Sequence, residues 1–348
     1  MKSIHTVFLV AAASTSSVSH AADATVAADP EPAEYVRVCD TFGAGYFYIP
    51  GTETCLKFGG YVRVDLQGGK ALGRDTNLDG LGDAFDTRTR AKLSIDTASD
   101  TELGALKSHV ELRFNYQGGY KGPNYSSSGY DAGTDVWLYK AYIDFNGFRV
   151  GKGDSAFTTY TDFAGKVIQD WVVKYGQFET TFISYNYDNG NGLTGVLSIE
   201  DDRGGGKGYV PDFVVGAGYS AGPYGLKLVA GYDESMKAGG IKGRVDATLG
   251  GVAAFLMAGW NTNSDRGPNR FATWSGDYAV WGGISAPLTE KVVLNTQLAY
   301  EEAKNFAAVA NVNLNVVPGL VVTPEVLYTN KANRGNAWGG MIRFQRSF

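Results

Sequence analysis

Residues 56–348 predict an all-β fold, a transmembrane antiparallel β-barrel of about sixteen strands, and three observations carry that expectation. Apolar and polar residues alternate with period two along most of the chain, which is the signature of a strand with one greasy and one wet face. Most of the alternating segments run nine to thirteen residues, the length of a tilted strand that crosses a bilayer rather than that of a strand in a soluble domain. Long polar connections also take turns with tight ones, the wiring of outer-membrane barrels.

The alternation is clearest in 104–116, where Leu106, Val110, Leu112, Phe114 and Tyr116 face Lys107, His109, Glu111, Arg113 and Asn115 across the pleat. It returns in 56–66 and in the closing 338–348, which ends on Phe348. The other thirteen segments are 87–97, 136–145, 147–153, 178–188, 193–201, 212–221, 224–234, 239–249, 251–261, 278–288, 292–302, 306–317 and 320–330. Connections 67–86, 117–135, 154–177, 202–211 and 262–277 are long and polar and are expected outside the cell. The short ones carry turn residues, such as Asn189-Gly190-Asn191-Gly192, Gly222-Pro223 and Pro318-Gly319. An even strand count returns both termini to the periplasmic side. Aromatic residues gather near strand ends, among them Tyr116, Trp137, Phe145, Phe148, Tyr185, Tyr219, Trp260 and Tyr328, where girdles would meet lipid headgroups.

The N-terminus carries Lys2, an apolar run from Val7 to Ala13 and a small-residue stretch ending Ser19-His20-Ala21, so residues 1–21 read as a secretory signal peptide. Residues 22–55 read as a periplasmic segment ahead of the barrel. Its first part, 22–34, is small, acidic and Pro-containing, a composition that buries little surface. Cys39 and Cys55 are the only cysteines, and in an oxidising compartment they are expected to form one disulfide.

Several function classes are poorly served by this composition. The 31 basic and 36 acidic residues are spread along the chain, net −5, without the clustered charge of a nucleic-acid footprint. Two of the three histidines, His5 and His20, leave with the signal, and His109 alone gives no basis for a histidine metal site or triad. Glycine runs such as Gly204-Gly205-Gly206 lack the Lys-Ser/Thr of a phosphate loop. No enzyme activity and no cofactor are expected. One metal motif stands out: Asp75, Asn77, Asp79, Asp83 and Asp86, with Gly80 at the sixth position, have calcium-loop spacing. The last ligand is Asp instead of Glu and the flanks are strands, so an ordinary polar loop is the competing explanation.

The stretch from Glu34-Tyr35-Val36-Arg37-Val38-Cys39-Asp40 through Gly43-Ala44-Gly45-Tyr46-Phe47-Tyr48-Ile49-Pro50-Gly51-Thr52-Glu53-Thr54-Cys55-Leu56 resembles the mature start of alphaproteobacterial, rhizobial-type outer-membrane general porins. The closing Trp338-Gly339-Gly340-Met341-Ile342-Arg343-Phe344-Gln345-Arg346 resembles their last strand. The resemblance implies a homotrimer of sixteen-stranded barrels in the outer membrane, passive diffusion of ions and small hydrophilic solutes, and a third long loop folded into the channel. By order that loop is 154–177. Its Asp154, Asp162 and Asp170 are then expected to oppose Arg63, Arg88, Arg90 and Arg113 on the wall and so bias which ions pass. Small or polar inward positions, Gly59, Ser94, Asn311, Asn313 and Asn315, favour an open pore over a non-conducting structural or adhesin barrel. The remaining alternative is a secreted soluble β-sandwich binding module.

Overall fold

The computed structural model describes residues 37–73, 81–118, 133–202, 209–263, 265 and 267–348. The expected signal peptide, and Asp75, Asn77 and Asp79 of the calcium-loop motif, lie outside the described residues. A two-residue strand β1 (Phe47–Tyr48) precedes sixteen longer ones: β2 (Cys55–Gly68), β3 (Asp86–Thr101), β4 (Gly104–Gly118), β5 (Gly133–Phe145), β6 (Phe148–Asp154), β7 (Glu179–Asp188), β8 (Leu193–Glu200) and β9 (Asp212–Ala221), then β10 (Tyr224–Asp233), β11 (Ala238–Leu249), β12 (Val252–Asn261), β13 (Tyr278–Thr289), β14 (Val292–Glu301), β15 (Asn305–Val317), β16 (Leu320–Lys331) and β17 (Gly335–Ser347). Each of the sixteen segments expected from the sequence is a strand, with ends shifted by a few residues.

Consecutive strands from β2 to β17 pair antiparallel, and β17 returns to β2 in register from Gly340↔Gly68 to Ser347↔Tyr61. Gly60 and Phe348 then exchange backbone hydrogen bonds at 3.0 and 3.1 Å. Closure leaves no sheet edge, which a membrane requires because lipid offers no partner to a backbone N–H or C=O. Asn146 and Gly147 show why the turns can be so tight: both have positive φ, at 49° and 86°, as a two-residue hairpin following the strand twist demands.

Side chains divide as the alternation requires. Phe58, Val62, Phe114, Val215, Tyr219, Leu228, Trp260 and Trp338 lie exposed on the outer face, while Asp65, Glu111, Lys242, Gln297, Asn311 and Glu325 are buried on the inner one. A charge turned outward at mid-membrane would cost about 2–4 kcal/mol, so the register is fixed strand by strand.

Trp137 departs from its expected place in an outer girdle. A register shift opposite Glu111 and Leu112 leaves Tyr139 as an extra residue in β5, with Glu111 paired to Lys140 and Leu112 to Leu138. This bulge turns Trp137 into the lumen beneath Arg90, whose guanidinium carbon is 5.5 Å from the ring centroid.

The segment before the barrel folds back on β2. Phe47 and Tyr48 pair with Leu56 and Cys55, and Cys39 and Cys55 form the expected disulfide, both nearly inaccessible. The covalent tie is worth about 3 kcal/mol to a segment whose own contacts are few. Replacing Cys39 and Cys55 together by Ser should speed chymotryptic cutting at Phe42 or Tyr46 by about tenfold or more. The heat-modifiable mobility of the barrel on gels should stay unchanged, and equal cutting in both proteins would contradict the tie.

Candidate functional site in the lumen

The segment 155–178 between β6 and β7 runs inside the barrel, and the sequence around it explains why it stays there. Ser155 caps a single helical turn, α1 (Ala156–Thr159), by accepting from the Phe157 amide. Beyond it, Phe157, Ala164, Val167, Val173 and Tyr175 are buried against Val229, Met257, Phe271, Trp274 and Trp281 of the wall and the 262–277 loop. A lumen is otherwise wet, so this apolar patch is covered only while the loop lies on it; each large side chain removed from water stabilises the docked loop by about 1.5–3 kcal/mol.

Loop backbone that leaves water must find partners, and inward side chains of the barrel supply them. Lys242 Nζ donates to Tyr175 O at 2.7 Å, Arg244 to Phe163 O at 2.6 Å and Trp281 Nε1 to Val173 O at 2.9 Å. Gln297 donates to Asp170 O at 2.9 Å and also to Ala164 O. Glu325 accepts from the backbone of Ile168 and, at 3.0 Å, of Gln169, and from Asn311 at 2.9 Å. The loop is therefore fixed along β11 to β16.

The facing wall is basic. On β2, β3, β4 and β17 the register sets Arg63 opposite Arg90, Asp65 opposite Arg88 and Arg343, and Lys92 opposite Arg113. Asp65 is buried and takes Arg88 at 2.8 Å and Arg343 at 2.6 and 3.0 Å, with Arg63 at 3.9 Å. Glu111 takes Arg113 at 2.7 Å and Lys92 at 3.2 Å. Aromatic rings back the cations: Tyr61 beneath Arg63 and Lys92, Trp137 beneath Arg90, and Tyr139 beneath Arg113. A cavity of about 1710 Å³ separates this wall from the loop and is lined by both.

The four nominated arginines, Arg63, Arg88, Arg90 and Arg113, thus stand together. The three loop acids do not. Asp154 ends β6 in the wall itself, held by Tyr139 at 2.8 Å and Lys140 at 3.0 Å, and it borders a smaller cavity of about 340 Å³. Asp162 and Asp170 do line the main cavity, but Asp162 pairs with Lys227 of β10 at 2.8 Å and Asp170 accepts from Tyr175 at 2.7 Å. Burial pushes the Asp170 carboxyl up to about 6. The loop also turns Lys166 and Lys174 to the cavity, so its inner face is not an acidic counterpart to the wall. Arg343, Asp65 and Trp137 were missed in the sequence; only the β17–β2 register and the β5 bulge bring them in. Of the calcium-loop residues that are described, Asp86 begins β3 and accepts from Gln67 at 2.9 Å and Gln117 at 3.1 Å, as a wall residue would.

A closed sheet with a lipid-matched exterior, and a charged lumen narrowed by an inward loop, defines an outer-membrane β-barrel channel. Residues 23–343 match the family model described as the porin subfamily, and the chain belongs to that family. It is 40% identical over 356 residues to porin Omp2b of Brucella suis and of Brucella abortus, with 97% of this chain and 97% of each relative covered. Among solved structures it is similar to the outer membrane channel DcaP of Acinetobacter baumannii, with a TM-score of 0.65 at 13% identity over 86% of this chain and 99% of that one. It is also similar to an anion-selective porin from Comamonas acidovorans, with a TM-score of 0.57 at 14% identity over 85% and 100%. These structures share the fold. The protein is a bacterial outer-membrane porin.

Removing the Glu325 carboxylate strands two loop amides, at about 1–3 kcal/mol for each buried donor left unpaired, and leaves the Asn311 amide only its contact with Lys166 O. Glu325→Ala should therefore raise tryptic cutting at Lys166 and Lys174 in the folded barrel by about tenfold and increase open-channel current noise. An unchanged cutting rate would mean that the loop is held by other contacts.

Proposed function

We propose that this porin is a general diffusion pore for ions and small hydrophilic solutes whose narrowest zone prefers anions. The observation that carries the preference is the basic wall: Arg63, Arg88, Arg90, Arg113, Arg343 and Lys92 stand against Asp65, Asp86 and Glu111. Across the cavity, Asp162 and Asp170 are offset by Lys166 and Lys174, and Arg244 by Asp246 at 2.7 Å. Fixed charge of one sign in a confined aqueous path concentrates the opposite ion and excludes its own kind. Transport down a gradient needs no bond made or broken, so no residue is assigned a catalytic role. The homotrimer rests on the resemblance to the rhizobial-type porins, the processed signal at 1–21 on its basic, apolar and small-residue pattern, and the periplasmic seat of the N-terminal segment on the even strand count.

The test is conductance of detergent-purified protein in a planar bilayer, with the reversal potential read under a potassium chloride gradient. Long-lived, salt-proportional steps arriving in threes, with a reversal potential on the chloride side, are expected. Lowering the pH from about 7 to about 5 neutralises the raised Asp170 carboxyl and removes one negative charge, so chloride preference should grow. Asp170→Asn should remove that residue's share of the pH effect and bring the neutral-pH pore closer to the acid one. Potassium preference at neutral pH would contradict the reading, and so would protein that inserts but never conducts.

A further inference from the structure

The basic wall holds more hydrogen-bond donors than the protein gives it acceptors, and three of the surplus donors are buried. Arg63 Nε, Arg88 Nε and Trp137 Nε1 have no hydrogen-bond partner among the described residues. They are neighbours, since Arg63 faces Arg90 across β2–β3, Arg88 is two positions along the same strand from Arg90, and Trp137 lies under the Arg90 guanidinium. The carboxylates of this wall are largely engaged: Asp65 by three arginines, Glu111 by Arg113 and Lys92, and Asp86 through Oδ2 by Gln67 and Gln117, which leaves Asp86 Oδ1 as a buried acceptor without a hydrogen-bond partner among the described residues. A buried donor without an acceptor carries a cost of about 1–3 kcal/mol that a ligand rich in acceptors would relieve.

A simple selectivity ring does not require such an arrangement. A ring acts through charge at a distance and works as well with flexible, hydrated side chains. Here the guanidiniums are held from behind, Arg63 5.1 Å from the Tyr61 ring, Arg90 5.5 Å from Trp137, and Arg343 in a two-pronged contact with Asp65. Planar forks fixed in this way match the paired oxygens of an oxyanion, which a spherical halide cannot offer. The cavity in front of them, about 1710 Å³, also brings Lys166 and Lys174 of the loop to its opposite side.

We infer that the wall around Arg63, Arg88, Arg90 and Trp137 is a binding site for a multiply charged oxyanion of the phosphate class, which occupies the narrow zone during passage. The inference rests on the proposed conducting pore and adds to it a saturable step. A bound polyanion slows the chloride that follows it, so the pore conducts phosphate-class solutes at low concentration and is transiently blocked by them at high concentration.

The experiment is a titration of chloride current with inorganic pyrophosphate at fixed ionic strength, from micromolar to millimolar. The wild-type channel is expected to show a block that saturates with concentration. A variant combining Arg63→Lys, Arg88→Lys and Arg90→Lys keeps the charge and removes the forks. Its reversal potential should stay on the chloride side while the half-blocking concentration rises by about tenfold or more. Lys291→Ala, on the short turn between β13 and β14, should block like the wild type. A wild-type current that changes linearly with pyrophosphate, without saturation, overturns the site and leaves the anion-preferring pore standing. Equal block in the wild type and the triple Lys variant also overturns it, because charge alone would then account for the effect. Absence of any chloride current removes the pore itself and the site with it.

Discussion

The hydrogen bonds between β17 and β2 are what the rest of this molecule depends on. In hydrocarbon an unpaired backbone amide or carbonyl costs several kcal/mol, and an open sheet would leave a full strand of them at each edge. Pairing from Gly340↔Gly68 to Ser347↔Tyr61, extended by the Gly60–Phe348 exchange, joins the first long strand to the last. With the cylinder closed, every strand must present one face to lipid and the other to the lumen, and the chain's period of two becomes an obligation rather than a preference. Closure also places Arg343, from the last strand, on the Asp65 carboxylate of the first, 278 residues away in sequence. The centre of the basic wall is thus made by the same contact that makes the barrel.

The interior is organised in the opposite sense from a soluble protein. Its polar wall is the default, and the buried apolar cluster, Phe157, Val173, Tyr175, Phe271, Trp274 and Trp281 among it, is local to the docked loop. Apolar burial holds the loop to one side of the lumen, while Glu325, Gln297, Arg244 and Lys242 take up its backbone groups. The division matters for transport. One arc of the circumference, β11 to β16, is committed to positioning the loop, and another, β2 to β5 with β17, is left to face the solute with guanidiniums backed by aromatic rings. The narrowing and the charge therefore come from opposite sides and can be altered separately.

Much of the fold was legible in the chain because lipid and water impose a simple alternating code, and all sixteen spanning segments followed from it. The code fails where the backbone departs from strict alternation. In β5 the extra residue Tyr139 reverses the face of Trp137, and nothing in the residue types announces a bulge there. The site was less legible. Arg63, Arg88, Arg90 and Arg113 could be picked out by parity, but Arg343 and Asp65 join them only through closure. The expected acidic role of the loop weakened for a similar reason. Asp154 turns out to belong to a strand, Asp162 to an ion pair with Lys227 and Asp170 to a contact with Tyr175, partners that loop order cannot supply. Lys242 would pass in the sequence for one more lumen charge, yet it is fully buried beneath the loop and donates to its backbone.

Segment 155–178 lies across the conducting path with one face on the wall and the other on the solute. Trp171 faces the cavity and is half exposed, whereas Val173, two residues on, is buried against the wall. The chain has no free cysteine of its own among the described residues, so a single introduced thiol can be read through its effect on current. Modification of Trp171→Cys in open channels by a charged, water-soluble thiol reagent should lower the current in steps, and Val173→Cys should not react. Complete labelling of Trp171→Cys with no change in current would place the loop outside the path and contradict the account.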